Sequence, residues 1–173
     1  GDADGMLCGA TGRFDEHLQH VENIIGRGPD VRALSTISAL ILPTGPLFIC
    51  DSYISLDPNA DEIAEMTFLA SAEVRHFGLE PRVALVSRSH YGSHDHPDAQ
   101  KMRDALEIIK REQPSLMIDG EMHADAALSP NLRNRAVSDS PLTDAANLLI
   151  MPNVDAANIS ANLLKELGGG VAV

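Results

Sequence analysis

VALVSRSHYGSHDHP, residues 83–97, begins as a short apolar run with two β-branched valines. It turns small and polar at Ser87, Ser89, Gly92 and Ser93, and Pro97-Asp98 then opens an amphipathic segment. The order is strand, loop, helix start. In an open α/β sheet, ligands bind outside the carboxyl ends of the strands, where such loops lie. A helix start adds unpaired backbone N–H groups that suit an anion. The loop is therefore the first candidate for holding a phosphate-like or acyl-phosphate-like group, although the same residues also make an ordinary turn.

Outward from this stretch, strands and helices alternate. Asp57-Pro58 opens a helix in which Ile63, Met66, Ala70, Val74 and Phe77 recur at three- and four-residue spacing as far as Gly78. Glu62 and Glu65 lie near its start and Arg75 and His76 near its end, as the helix dipole prefers. Met102, Ala105, Leu106 and Ile109 define the next helix, closed by Pro114. Residues 116–118 read as a strand ending at Asp119-Gly120-Glu121, 125–128 and 130–137 as short helical pieces, and 147–151 as another strand. Residues 155–167 form a helix with Ile159, Leu163 and Leu167 on one side and Gly168 as its stop. Upstream, apolar runs at 37–42 and 47–50 flank the turn PTGP and predict a hairpin or an adjacent pair of strands, with Val31 as further strand material. Residues 14–25 carry Leu18, Val21 and Ile25 at helical spacing, with Asp15 as N-cap. The expected fold is α/β, a mostly parallel sheet with helices on both faces. A domain boundary is expected near residues 30–40, after RGPDVR.

Composition narrows the function. The 173 residues are 44% hydrophobic but only 3% aromatic, without Trp, so the core is built from Leu, Ile, Val, Ala and Met. A formal net charge of −12 argues against nucleic acid and anionic membrane as partners. Cys8 and Cys50 form no disulfide framework and read as buried small hydrophobes of a reducing compartment. No apolar run reaches membrane-spanning length and no signal-peptide pattern opens the chain, so a cytoplasmic location is expected. The opening GDADG and the closing LGGGVAV give the chain the look of a fragment of something longer.

Three polar clusters carry the possible chemistry. His90, His94 and His96 have ligand-like spacing, but no matching ligand set accompanies them, and a native metal site is not expected. Asp119, Glu121, His123 and Asp125 form the second cluster, suited to general bases, magnesium ligands or helix caps. Asn147, Pro152, Asn153, Asp155 and Asn158 form the third, at another strand-turn-helix passage. Three such loops on one sheet converge on one edge. No Ser/His/Asp order is assignable, and neither cysteine has a basic helper in sequence.

Together the clusters resemble the phosphate acetyl/butyryltransferase family. The matching motifs are S-x-S-x-x-G-S over 87–93, D-G-E-x-x-x-D-A-A over 119–127 and A-N-x-x-I-x-P-x-x-x-x-x-N-I over 146–159. ADGMLCGA and DPNADEIAEM also fit, so the resemblance covers nearly the whole chain. It implies a phosphotransacetylase-like fold of isocitrate/isopropylmalate dehydrogenase-like architecture. Residues 1–35 would be the remnant of a first subdomain, and 36–173 a second subdomain truncated before the family's C-terminus. It also implies an acyl-CoA/phosphate cleft near Ser87, Ser89, Gly92, Ser93, Asp119, Glu121, Asp125 and Asn158. Departures come at His123, where the transferases usually have Gln, at Pro152-Asn153-Val154 in place of Pro-Asp-Leu, and at Ala157 in place of Gly.

With LPTGPLFICDSY and SRSHYGSHDHP, these departures make the chain more similar to the C-terminal phosphotransacetylase-like domain of large bacterial malic enzymes. That resemblance implies a regulatory, oligomer-forming domain that senses acetyl-CoA or a related acyl-CoA. Malate oxidation, the NADP or NAD cofactor and the divalent metal would belong to absent N-terminal domains, since no motif for malate, metal or nicotinamide occurs here. No cofactor and no catalytic residue are assigned to these residues; the family's Ser-Arg pair would fall beyond Val173, so the stretch would lack a complete transferase site. Two rivals remain: a fragment of an active phosphate acetyltransferase, and a purely structural oligomerisation domain with a vestigial cleft.

Overall fold

The computed structural model describes residue 9, residues 11–29 and residues 31–172. Cys8 and most of the glycine-flanked segment 2–12 lie outside these residues. The chain divides into two compact units between Leu34 and Ser35. In the first unit, helix α1 spans Phe14–Ile24. Its N-cap is Arg13 rather than Asp15, which sits in the first turn and takes the Arg13 guanidinium at 2.9 Å. Val31 is in no strand.

The second unit is a six-stranded sheet flanked by helices. In chain order it runs β1 (Ile37–Leu42), β2 (Gly45–Cys50), α2 (Ala60–His76), β3 (Arg82–Val86), α3 (Pro97–Glu112) and β4 (Met117–Met122). It continues α4 (Ala124–Leu128), α5 (Pro130–Ala136), β5 (Leu148–Ile150), α6 (Val154–Leu167) and β6 (Val171–Ala172). The sheet order is β4-β3-β5-β2-β1-β6. β4, β3, β5 and β2 are mutually parallel, while β1 pairs antiparallel with β2 and with β6. The hairpin expected around PTGP is β1–β2, and Gly45 enters β2 at φ +120°, a backbone angle that favours glycine. β5, only three residues long, is inserted between β2 and β3.

Both faces of the sheet are covered. Phe48, Cys50, Val83, Leu85, Leu148 and Ile150 point to one face, where they pack on α2 (Ile63, Met66, Ala70, Val74) and α3 (Met102, Ala105, Ile109). Their neighbours Leu47, Ile49, Ala84, Val86 and Leu149 point to the other face, against Ala126 and Ala127 of α4, Leu142, Ala146 and Ala157 of α6. This is the period-2 alternation of strands buried on both sides. α2 starts at Ala60 behind Asn59, whose side chain accepts the Glu62 N–H at 3.1 Å while Glu62 accepts the Asn59 N–H at 2.8 Å.

One local expectation is corrected, and two apolar positions lie where spacing alone does not place them. Asp119-Gly120-Glu121 does not follow a strand; it lies inside β4. A polar triplet reads as loop in sequence, but here each carboxylate has donors, so the strand carries both carboxylates buried. The register shifts so that Leu85 faces Gly120 and Val86 faces Met122, leaving Glu121 as the extra residue of a bulge. In α6 the stripe Ile159, Leu163 and Leu167 faces solvent, at 59%, 54% and 84% exposure, and the helix seats itself through Ala157, Ala161 and Leu164. Phe77, the last apolar repeat after α2, is half exposed and tilts against Phe48 at 5.2 Å.

Candidate functional site

Because β4, β3, β5 and β2 are parallel neighbours, the residues that follow them line up along one edge of the sheet. A cleft of about 470 Å³ opens there. β3 delivers Ser87 and Arg88 to it, β4 delivers His123, and β5 delivers Pro152 and Asn153. Ala156 and Ser160 of α6 close one side and Asp98 of α3 the rim. Asn153 caps α6, its side chain accepting the Ala156 N–H at 2.9 Å, so a fourteen-residue helix begins at the cleft.

The loop after β3 is pinned from below. The buried Glu121 carboxylate accepts, on one oxygen, the Ser89 hydroxyl at 2.6 Å, the Gly92 N–H at 2.9 Å and Arg103 Nη1 at 2.9 Å. Burial pushes its pKa up, but the bonds from Ser89, Gly92 and Arg103 outweigh that and hold it below the usual glutamate value. Ser89 is itself fully buried and also accepts the His94 N–H at 3.2 Å. Ser87 Oγ accepts the Ser89 N–H at 3.0 Å, and Ser93 Oγ accepts the His90 N–H at 2.9 Å. Gly92 takes φ +81°, next to Tyr91 at φ +48°. Asp119 accepts the Tyr91 hydroxyl at 2.8 Å and the Ser140 hydroxyl. Burial, then the bond to Asp119, raises the Tyr91 pKa.

Of the eight residues singled out in the sequence, Ser87 lines the cleft. Ser89, Gly92, Ser93, Asp119 and Glu121 shape the loop beside it. Asp125 is exposed in the first turn of α4. Asn158 faces another loop, donating to the Ser52 carbonyl at 3.2 Å. Sequence reasoning passed over Arg88, although a cation between two loop serines is a readable signal. No carboxylate lies within ion-pair distance of Arg88 among the described residues. It also passed over Arg103, and over Arg133, which is fully buried and donates to the carbonyls of Ala126, Ala127, Leu142 and Asp144. Nothing marks a helical arginine as buried before the fold is known.

Arg88, Ser87 and the start of α6 give the cleft a lining suited to binding an anionic group. Burial, then the neighbouring Asp51, drives the Cys50 thiol far up in pKa, which removes it as a thiolate. Ser93 Oγ lies 2.9 Å from His94 Nδ1 on an exposed loop, outside the cleft. His96 caps α3, with Nδ1 3.4 Å from the Asp98 N–H. Among the described residues, no group of three or more His, Cys, Asp or Glu side chains is placed to hold a metal ion. None of the described helices is long and apolar enough to cross a membrane.

Comparison with known proteins adds the following. The family described as phosphate acetyl/butaryl transferase matches residues 1–173. An NADP-dependent malic enzyme of Escherichia coli is 50% identical over 165 residues, which are 95% of this chain and 22% of that protein. A phosphate acetyltransferase of Paracoccus denitrificans is 34% identical over 181 residues, covering all of this chain and 57% of that protein. A phosphotransacetylase structure from Streptococcus pyogenes superposes with a TM-score of 0.89 at 28% identity, over 95% of this chain and 50% of that one. The chain thus spans about a fifth of the malic enzyme and about half of each transferase.

Proposed function

This chain belongs to the phosphate acetyl/butaryl transferase family, and from that premise we propose that it is the regulatory and oligomerisation domain of a multidomain malic enzyme. In this reading, acetyl-CoA or a related acyl-CoA occupies the cleft at the ends of β3, β4 and β5. The observation that carries it is the pairing of a cation, Arg88, with Ser87 and the start of α6 around one cleft. Arg88 and the α6 N-terminus attract the ligand's phosphates. Ser87 supplies a hydroxyl, and the loop behind it is held rigid by Glu121. Ligand binding that favours one assembly of a homo-oligomer by about 1–3 kcal/mol gives five- to hundredfold regulation. With a net charge of −12, neither nucleic acid nor an anionic membrane is a partner in this reading, and the protein works in the cytoplasm.

A malic enzyme also uses NADP or NAD with a divalent metal. The described residues fit neither. They gather no metal-binding set, and the chain has no G-x-G-x-x-G fingerprint. In this reading those groups are held by other domains of the malic enzyme.

The test is calorimetric titration of acetyl-CoA, with acetyl phosphate alongside, into the full-length enzyme that carries this domain, while malate turnover is followed. Binding that changes turnover without transfer of acetyl groups is expected. A rate indifferent to every acyl-CoA would refute the proposal. The second reading, part of an active phosphate acetyltransferase, is favoured by the Paracoccus relative and the Streptococcus structure. Transfer of the acetyl group from acetyl-CoA to inorganic phosphate with release of CoA, or from acetyl phosphate to CoA with release of phosphate, would establish it.

A further inference from the structure

His123 is held twice by the loop after β3. Its ring Nε2 lies 3.0 Å from the Arg88 carbonyl, so that nitrogen carries the hydrogen and donates it. Its backbone N–H donates to His90 Nδ1 at 3.2 Å. The two rings stack with centroids 4.7 Å apart and planes 24° apart. An imidazole nitrogen that accepts a hydrogen bond bears no proton. His90 is therefore neutral in this arrangement, with its hydrogen on Nε2. Arg88 and His123 both wall the cleft, and His90 is not among its lining residues.

We propose that the His90–His123 stack is a proton-operated latch on the ligand cleft: neutral His90 keeps His123 and Arg88 in the binding position, and a proton on its Nδ1 releases both and weakens binding. The inference rests on the cleft being the acyl-CoA site. A proton on Nδ1 removes the acceptor of the His123 N–H. It also places an imidazolium against the His123 ring, beside a loop that already carries Arg88.

The charged and titratable groups around His90 come from three elements. α4 brings Asp125 and its N-cap His123, β4 brings Glu121, and the loop itself brings Arg88 and Tyr91, whose ring meets His90 edge-on at 4.9 Å. Burial, then His123, push the His90 pKa down, and the opposing pull of Asp125 and Glu121 is smaller, so it lies below 6.5. The neutral stack is therefore fully formed above pH 6.5 and is lost as the pH falls through that lowered value. The latch opens as the pH falls through that lowered value.

The experiment combines a histidine ring-carbon NMR titration of the 173-residue chain with calorimetric titration of acetyl-CoA at about pH 7.5 and pH 5. The variant is His90→Asn, whose Oδ1 accepts the His123 N–H but takes no proton. In the parent chain, His90 is expected to titrate below the ordinary value, with the Arg88 and His123 amides shifting at the same midpoint. Acid is expected to raise the acetyl-CoA Kd roughly three- to tenfold in the parent and less than about twofold in His90→Asn. Amides that ignore the His90 titration would overturn the latch. So would a variant that loses affinity in acid as steeply as the parent. If acetyl-CoA binds at neither pH while the amides still track His90, the acyl-CoA reading fails and the proton-driven rearrangement stands.

Discussion

Replacing Glu121 tests whether one buried carboxylate holds the strand-end loop. Its oxygen takes three donors: a hydroxyl, a backbone N–H and a guanidinium. Glu121 is 1% exposed and the Arg103 side chain 22% exposed, so only the arginine recovers hydration when the pair is broken. In Glu121→Gln the amide oxygen still accepts from Ser89 and Gly92, and the loss is mainly the charge on Arg103, about 1–2 kcal/mol. In Glu121→Ala all three donors lose their acceptor, and the expected cost is about 3–5 kcal/mol. A double-mutant cycle of Glu121→Gln with Arg103→Met should show a coupling of about 1–2 kcal/mol. Urea denaturation near neutral pH, read from the midpoint at constant slope, measures each value. The reasoning is refuted if Glu121→Ala lies within about 1 kcal/mol of the parent, or if the cycle is additive. There is also a pH signature. A carboxyl held below its ordinary 4.5 stabilises fully above that pH and loses the contribution as pH falls through the lowered value. The gap between the parent and Glu121→Gln should therefore close in acid.

Arg88→Ala should leave stability within about 0.5 kcal/mol, since this exposed side chain makes no ion pair among the described residues, yet weaken acetyl-CoA binding at least about tenfold by calorimetry. Gly120→Ala should destabilise by about 2 kcal/mol or more in the same urea assay. Its φ is +148°, and an added Cβ would stand 2.8 Å from both the Leu85 Cβ and the Leu85 carbonyl oxygen. Arg133→Met should cost about 3 kcal/mol or more, because the Ala126, Leu142 and Asp144 carbonyls lose the guanidinium together while that of Ala127 keeps the Ala146 N–H. A midpoint unchanged from the parent would show that those carbonyls find other partners.

The parts of this fold legible in the sequence are those where local pattern and burial agree. VALV followed by serines and Pro97 gave strand, loop and helix, because β3 is covered on both faces and α3 starts behind a clear cap. Where burial overrode pattern, the reading failed. Asp119 and Glu121 looked like loop residues because their donors come from Tyr91, Ser140, Ser89 and Arg103, all distant in the chain. Ile159, Leu163 and Leu167 were legible as one side of a helix, but periodicity reports an apolar face and not what covers it, and here that face is exposed. The loop residues near the cleft were readable as a set, but their division into lining and supporting roles was not. Direction along a strand decides it, and the bulge at Glu121 changes that direction.

The placement of β5 has a consequence for how the chain reaches this fold. β2 and β3 are both made before α3, β4, α4 and α5, yet they do not pair with each other; each pairs with β5. As the chain leaves the ribosome, two apolar strands must wait with open edges until Leu148–Ile150 emerges to bridge them. Three residues thus supply the non-local pairings that join β2 to β3, making closure of the sheet's middle a late and comparatively slow event. During that wait β2 and β3 are the segments most exposed to wrong pairing and most in need of chaperone protection.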